Sequence, residues 1–177
     1  GYSNPAQVVL ASFSSCGPVD DGRIKPDIVA NGVGLYSTYS NADDSYASLS
    51  GTSMSAPATT GSLALLVEHY ENVVGSGAQM RSATLKALVL HTADEAGDFD
   101  GPDYKFGWGL LNTQSAAAKI TEDPTTDVIS ELVLANGETF TREITTTGTS
   151  PIRVTIVWTD PPGTPPAPSL DPPDAML

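Results

Sequence analysis

Apolar positions along the chain separate into runs with helical spacing and runs with strand spacing. The longest helical pattern covers residues 53–70, where apolar side chains fall on nearly every face, and this distribution predicts a helix buried inside the molecule. Pro57 can be accommodated because the N–H groups of a first helical turn have no intrahelical partner. Gly61 costs about 1 kcal/mol relative to alanine inside a helix, and close packing against a neighbouring strand would explain its presence.

Shorter patterns predict further elements around this helix. Strands at 34–38 and 46–50 form a hairpin that leads directly into the helix, with Asp43 and Asp44 in its turn. The sequence before residue 120 also predicts the following strands and helices: strands at 8–14 and 27–30, and helices at 82–92 and 113–119.

The composition changes at about residue 120, and this change divides the chain into residues 1–119 and 120–177. Three strands are predicted in the second part, at 128–134, 139–147 and 152–159, and Asn136-Gly137 is a strong hairpin signal between the first two. Seven of the 17 residues from Pro161 onward are proline, which predicts an extended or disordered tail. Three strands are too few for a closed sandwich.

The start of the long helix places a serine where a nucleophile could act. The N-terminus of a helix favours negative charge, and its free N–H groups can donate to an oxyanion. Ser53 is expected at that end, and Gly51 carries no side chain that would block an approaching substrate. A simpler interpretation is that Thr52 and Ser53 only cap the helix, which is the usual role of such residues.

Residues 51–57, Gly-Thr-Ser-Met-Ser-Ala-Pro, resemble the nucleophile motif of the subtilisin-like serine proteases, the subtilases. Three further segments resemble blocks of that family in the same order: 11–18 (Ala-Ser-Phe-Ser-Ser-Cys-Gly-Pro), 25–30 (Lys-Pro-Asp-Ile-Val-Ala) followed by Gly32, and 104–118, which contains Phe-Gly-Trp-Gly-Leu-Leu-Asn. Asn31 stands where the family usually has proline, and Thr59 where a small aliphatic residue is common.

The resemblance implies an α/β fold. Residues 1–119 would form the C-terminal portion of a three-layer α/β/α catalytic domain with a buried central helix. Residues 120–177 would begin an antiparallel β-sandwich that is incomplete in this chain.

The resemblance also assigns roles at the site. It implies hydrolysis of peptide bonds through an acyl-enzyme on Ser53, whose backbone N–H is one oxyanion donor. It implies that Ser50 and Gly51 line the leaving-group side of the cleft and that Met54 packs beside the nucleophile. No cofactor is needed for this chemistry, and polypeptides are the implied substrates.

The other two members of a subtilisin-type triad are expected upstream of the serine, because the chain order in subtilisin is Asp, His, Ser. The two histidines, His69 and His91, both follow Ser53. His69 would lie about 24 Å along the helix, too far for direct proton transfer. We therefore expect the Asp and His to lie upstream of this chain, and the 177 residues alone to be inactive.

Two alternatives belong to other classes of protein. The chain could be a non-catalytic interaction module or pseudoprotease, whose β part binds a partner or a carbohydrate. It could also be an unrelated serine hydrolase that takes its base from another chain.

Charge restricts the partners further. A net charge of −13 and a pI of about 4.2 argue against nucleic acid and against an anionic membrane surface. Cys16 is the single cysteine, so no internal disulfide forms. The resemblance implies an extracellular protein, and apolar faces left uncovered in this chain predict self-association.

No metal site is assigned from the sequence. The acidic segment 98–103 resembles a calcium loop, but the twelfth position of an EF-hand pattern is Gly109 where a glutamate is required. A solvated turn is the simpler interpretation. A structural calcium in the parent protein is an expectation of the resemblance that no residue of this chain locates.

Overall fold

Among the residues that the structure describes, three helices and one small sheet make up the regular structure. The computed structural model describes residue 4 and residues 7–97, 100–146, 148–149 and 151–160. The helices are α1 (Thr52–Val74), α2 (Ser82–His91) and α3 (Thr113–Thr126), and strands β1 (Leu35–Thr38) and β2 (Tyr46–Leu49) pair antiparallel. The predicted hairpin and the positions of α1 and α2 are confirmed. The mixture of helices with a small antiparallel sheet is consistent with part of an α/β domain.

The core lies where the three helices meet. Leu66 of α1 and Ile120 of α3 are almost completely enclosed, and Leu88 and Val89 of α2 complete the contact together with Ala116. Full burial of a leucine or isoleucine side chain stabilises a fold by about 1.5–3 kcal/mol. This contact holds α1 against α2 and α3 through the face of α1 that carries Leu66.

The prediction that α1 is buried on all sides is wrong for the described residues. Leu66 is 1% exposed, but its neighbour Leu65 is 63% exposed. Because α2 and α3 cover a single face, the apolar residues on the other faces of α1 lie in solvent. Pro57 is the sixth residue of α1 and therefore lies in the second turn, not the first. Gly61 has no atom within 4 Å of the position a Cβ would take, so close packing does not explain it.

Helix α3 is longer than predicted. It continues past residue 119 to Thr126, because Ile120 adds an enclosed side chain to the core. Its start is capped by Asn112, whose Oδ1 accepts the N–H of Ser115 at 2.8 Å. The proposed division of the chain at residue 120 therefore falls inside a helix.

Segment 26–30 runs beside segment 107–111. The N–H of Val29 donates to the carbonyl of Gly109 at 3.0 Å, and the N–H of Leu111 donates to the carbonyl of Val29 at 2.9 Å. Gly107 permits this approach, because a Cβ there would lie 2.1 Å from the carbonyl oxygen of Pro26. The predicted strand at 27–30 is thus reduced to an isolated bridge at Val29, and the predicted strand at 8–14 is absent because no ladder forms there.

The β-sandwich is not confirmed. Among residues 128–146 and 151–160, the structure assigns no strand, although the turn at Asn136-Gly137 is present and closes with a 3.0 Å bond from the N–H of Glu138 to the carbonyl of Ala135. Alternating apolar residues face solvent, with Ile156 73% and Trp158 70% exposed. A strand pattern needs a partner ladder, and the described segments do not supply one. The predicted proline-rich tail lies outside the described residues.

In the described part of the chain, no helix combines the length and the apolar character that spanning a bilayer requires.

Candidate active site

The candidate nucleophile lies at the start of α1. Gly51 is the N-cap, and the N–H groups of Met54 and Ser55 donate to its carbonyl at 3.0 and 3.4 Å. Ser53 is the second residue of the helix and is exposed. Within the described residues, neither its hydroxyl nor its backbone N–H has a hydrogen-bond partner. Ser53 is therefore an exposed residue, with a hydroxyl and an N–H that no described residue occupies, at the electropositive end of a helix of 23 residues.

The interpretation that Thr52 and Ser53 cap the helix is wrong. The N-cap position belongs to Gly51, which has no side chain, and no side-chain capping bond forms there. Thr52 and Ser53 are already helical residues. The N–H groups of a first turn that lack a cap remain available to an external acceptor.

Two hydrogen bonds with residues 30–32 hold the start of α1 in place. The N–H of Gly51 donates to the carbonyl of Gly32 at 2.8 Å, and the hydroxyl of Ser55 donates to the carbonyl of Ala30 at 3.0 Å. A Cβ on Gly32 would lie only 2.9 Å from the carbonyl oxygen of Gly51 and 3.3 Å from the Cβ of Ser55. Gly32 is therefore needed for the two segments to approach this closely.

The sequence alone does not assign these positioning roles to Ser55 and Gly32. Gly32 follows a segment that resembles a family block, and Ser55 belongs to the motif around Ser53. Their positions could have indicated the contact. Gly32, which has no side chain, and Ser55, which carries a hydroxyl, lie in the two family-like segments immediately before and after the hairpin.

The residues assigned to substrate binding surround Ser53 along the chain. Ser50 is exposed, and its Oγ accepts the N–H of Gly34 at 2.9 Å, which connects the hairpin to the entry of α1. Met54 is partly buried, and its sulfur lies 3.7 Å from where a Cβ on Gly51 would be. Ser50, Gly51, Ser53 and Met54 are neighbours in the sequence, and residues 30–32 hold this segment by hydrogen bonds to Gly51 and Ser55.

Asn31, the residue that replaces the usual proline, has a local structural role. Its Oδ1 accepts the N–H of Val33 at 3.0 Å, which closes a turn between segment 26–30 and the hairpin. An asparagine side chain commonly forms turns of this kind. The departure from the family pattern therefore leaves the start of α1 supported.

Both histidines are engaged away from Ser53. His69 lies sixteen residues along the continuous helix α1 from Ser53, about 24 Å away, and its Nε2 is 2.9 Å from the Thr121 hydroxyl. The Nδ1 of His91 is 3.0 Å from the Thr155 hydroxyl. Partial burial lowers the pKa of His91, and the charges of Arg153 and Lys119 lower it further.

Asp27 anchors the segment that braces α1. Its carboxylate pairs with Lys25 and, at 3.0 Å, with Lys86 of α2. Partial burial raises the pKa of Asp27, but hydrogen bonds and charge from the two lysines outweigh it, so the pKa lies below its ordinary value. A cavity of about 270 Å³ opens beside this cluster, bordered also by Arg23 and Trp108.

The described residues contain no group of three or more His, Cys, Asp or Glu side chains that could hold a metal ion. Asp98, part of the acidic segment weighed as a calcium loop, lies outside them. In the same segment, the Oδ1 of Asp103 accepts the N–H groups of Lys105 and Phe106 at 2.6 and 2.8 Å. Asp103 therefore closes a local turn.

Comparison with known proteins gives consistent matches. The profile of the Subtilase family matches residues 1–109. The C5a peptidase of Streptococcus pyogenes serotype M6 is 35% identical over 143 residues, which are 78% of this chain and 12% of that protein. The PII-type proteinase of Lactococcus lactis subsp. cremoris is 30% identical over 135 residues, 67% of this chain and 7% of that protein.

A solved structure supports the same relationship. The CspB protease of Clostridium perfringens aligns with a TM-score of 0.53 and 27% identity, covering 62% of this chain and 24% of the other. The 177 residues thus span about an eighth or less of the two relatives' length and about a quarter of the protease of known structure.

Proposed function

This chain belongs to the subtilase family, and from that premise we propose that Ser53 is the nucleophile of a serine endopeptidase. The single observation that carries the proposal is the position of Ser53: exposed, in the first turn of a 23-residue helix, with hydroxyl and N–H groups that face no partner among the described residues. Similarity to peptidases of the same family supports peptide bonds as the substrate class.

In the proposed reaction, Ser53 Oγ attacks the carbonyl carbon of the scissile peptide while its proton passes to a general base. The carbonyl oxygen becomes an oxyanion, which accepts from the backbone N–H of Ser53. Collapse of this intermediate breaks the C–N bond, and the amine leaves with a proton from the base. Water then hydrolyses the ester and restores the hydroxyl.

The general base and the acid that orients it are proposed to come from residues outside these 177. His69 and His91 are each hydrogen-bonded to a threonine hydroxyl, and His69 is about 24 Å from Ser53. Without a base, a serine is a weak nucleophile at neutral pH. The 177 residues alone are therefore expected to be inactive. Because side chains and water supply all the groups needed, the proposed chemistry requires no cofactor.

Ser50, Gly51 and Met54 are proposed to form the cleft beside the nucleophile. Ser50 and Gly51 would contact the leaving-group side of the substrate, the role that similarity to the subtilase family implies for them. Gly51 leaves the approach open. Met54 would pack beside the nucleophile, where oxidation to the sulfoxide would impair activity.

We further propose an extracellular location and self-association of the 177-residue chain. Self-association is supported by apolar side chains that face solvent, such as Leu65 at 63% and Val133 at 79% exposure. Covering such surface stabilises an assembly by about 25 cal/mol per Å² of apolar area. Light scattering should detect dimers or larger species at micromolar concentration, and a monomer at all concentrations would contradict this part of the proposal.

Labelling with a fluorophosphonate tests the catalytic assignment. In the complete protein, the reagent should modify Ser53, and Ser53→Ala should abolish labelling. Ser62→Ala is the matched control, because Ser62 lies in the same helix and its hydroxyl donates to the Ala58 carbonyl at 2.9 Å. A folded complete protein that is not labelled at Ser53 would reject the proposal and favour a non-catalytic module.

A further inference from the structure

The hairpin that leads into α1 carries a pair of aromatic rings in solvent. Tyr36 of β1 and Tyr46 of β2 stack with ring centroids 5.5 Å apart and an angle of 20° between their planes. They are 72% and 55% exposed. Rigid aromatic side chains give a large contact area at a low cost in conformational entropy, and they are enriched in binding surfaces.

The register of the hairpin places the two rings on one face. Tyr36 is opposite Ser48, and Thr38 is opposite Tyr46. Because side chains alternate between the faces of a strand, these four residues project from the same face. The rings thus form one platform, which we call the tyrosine platform (Tyr36 and Tyr46).

Residues 47–52 connect the tyrosine platform to the candidate nucleophile Ser53. Tyr46 and Ser50 are four residues apart, which corresponds to about 13 Å of strand. The bond from the Gly34 N–H to the Ser50 hydroxyl, 2.9 Å long, continues the hairpin pairing up to the entry of α1. Ser53 follows three residues later, so the platform lies within about 25 Å of the hydroxyl.

The charge around the tyrosine platform favours a cation. Asp43 and Asp44 lie in the turn between the two strands and are exposed. Neither forms an ion pair with another described residue. Residues 26–80 contain no lysine or arginine, in a chain whose net charge is −13. Aromatic faces attract an ammonium or guanidinium group, and the nearby carboxylates add to this attraction.

We propose that the tyrosine platform, together with Asp43 and Asp44, is an extended subsite that binds a lysine or arginine side chain of the polypeptide substrate. The inference rests on the proposed function, in which Ser50 and Gly51 contact the leaving-group side. An extended peptide advances about 3.3 Å per residue. Because the chain between Tyr46 and Ser53 limits their separation to about 25 Å, the bound side chain lies no more than about seven residues beyond the scissile bond.

The test uses the complete protein and quenched fluorescent peptides of one sequence. Lysine, alanine or glutamate is placed at each of the first to seventh positions after the scissile bond. Cation–π contacts at exposed sites predict kcat/KM for the best lysine peptide about two- to five-fold above the alanine peptide, with glutamate lower still. The same substitutions at equivalent positions before the scissile bond should have no effect.

Variants then assign the preference to the platform. Tyr36→Ala and Tyr46→Ala should remove it, while Tyr36→Phe should keep it because the ring remains. Asp43→Asn combined with Asp44→Asn should reduce it and weaken its dependence on salt. Tyr39→Ala is the matched control, because Tyr39 is also exposed on the hairpin but is not part of the stack.

The outcomes separate this inference from the proposed function. Equal kcat/KM for lysine, alanine and glutamate peptides, in a protein that a fluorophosphonate labels at Ser53, would overturn the subsite and leave the nucleophile assigned. A lysine preference that survives both alanine variants, or that occurs only before the scissile bond, would also overturn it. Failure of the wild-type protein to be labelled would overturn the proposed function itself.

Discussion

Replacing Gly32 with alanine is the sharpest single perturbation of the site that leaves Ser53 itself intact. Gly32 contacts the start of α1, and its carbonyl accepts a hydrogen bond from the N–H of Gly51 at 2.8 Å. An added Cβ would lie 2.9 Å from the carbonyl oxygen of Gly51 and 3.3 Å from the Cβ of Ser55. Both neighbours belong to the turn that orients Ser53, so the strain falls on the nucleophile.

The expected magnitude follows from that overlap. A contact of 2.9 Å must lengthen by a few tenths of an ångström, and inserting a methyl group into a packed site costs about 1–3 kcal/mol of stability. Because a displacement of 1 Å can cost about a hundredfold in rate, a shift of a few tenths of an ångström predicts a loss of about three- to tenfold. Gly32→Ala should therefore lower both the unfolding free energy and the rate of fluorophosphonate labelling of Ser53.

Gly61→Ala provides the matched control, since it adds the same methyl group to α1 itself. No atom lies within 4 Å of the new Cβ, and alanine favours a helix over glycine by about 1 kcal/mol. This variant should gain stability and label Ser53 at the wild-type rate. Chemical denaturation and labelling time courses of the two variants give the comparison. Wild-type stability and labelling in Gly32→Ala would refute the role given to residues 30–32.

Three further predictions concern the core and the pH dependence of stability. Ile120→Ala should destabilise the fold by about 2–5 kcal/mol in chemical denaturation, because the side chain is fully enclosed between helices; a loss under 1 kcal/mol would contradict the packing described. Asp27 has a lowered pKa, so its contribution is present above the ordinary value of 3.8 and is lost as the pH falls through the folded-state pKa. Asp27→Asn should therefore flatten the acid limb of a stability–pH curve, and an unchanged limb would contradict the pairing with Lys25 and Lys86. His91 also has a lowered pKa, so stability should decline as the pH falls below its ordinary value of 6.5, and His91→Gln should remove that decline in the same measurement.

The sequence predicted the elements that depend on local pattern. The helical run from Met54 onward is long enough to define α1, and the turn at residues 40–45 sets the hairpin register. The position of Ser53 at the first turn follows from these two elements. The motif itself added the chemical interpretation, which pattern alone left open between nucleophile and cap.

Features that depend on tertiary contact could not be predicted. The alternation that ends at Trp158 fits a strand, but a strand exists only when another backbone pairs with it, and no local pattern encodes that partner. Burial of α1 failed as a prediction for the same reason, since Leu65 has an apolar side chain but no neighbour to cover it. The hydrogen bond from the Ser55 hydroxyl to the Ala30 carbonyl joins two residues separated by 25 positions in the sequence. Helical or strand periodicity cannot predict a contact over such a separation.

Trapping the acyl-enzyme tests the central claim most directly. The complete protein is mixed with an activated peptide ester, quenched in acid within the burst phase, and digested for mass spectrometry. We predict one acyl group per molecule, attached to Ser53, and none in Ser53→Ala. An acyl group on any other residue, or ester turnover that persists in Ser53→Ala at the wild-type rate, would contradict the assignment of Ser53 as the nucleophile.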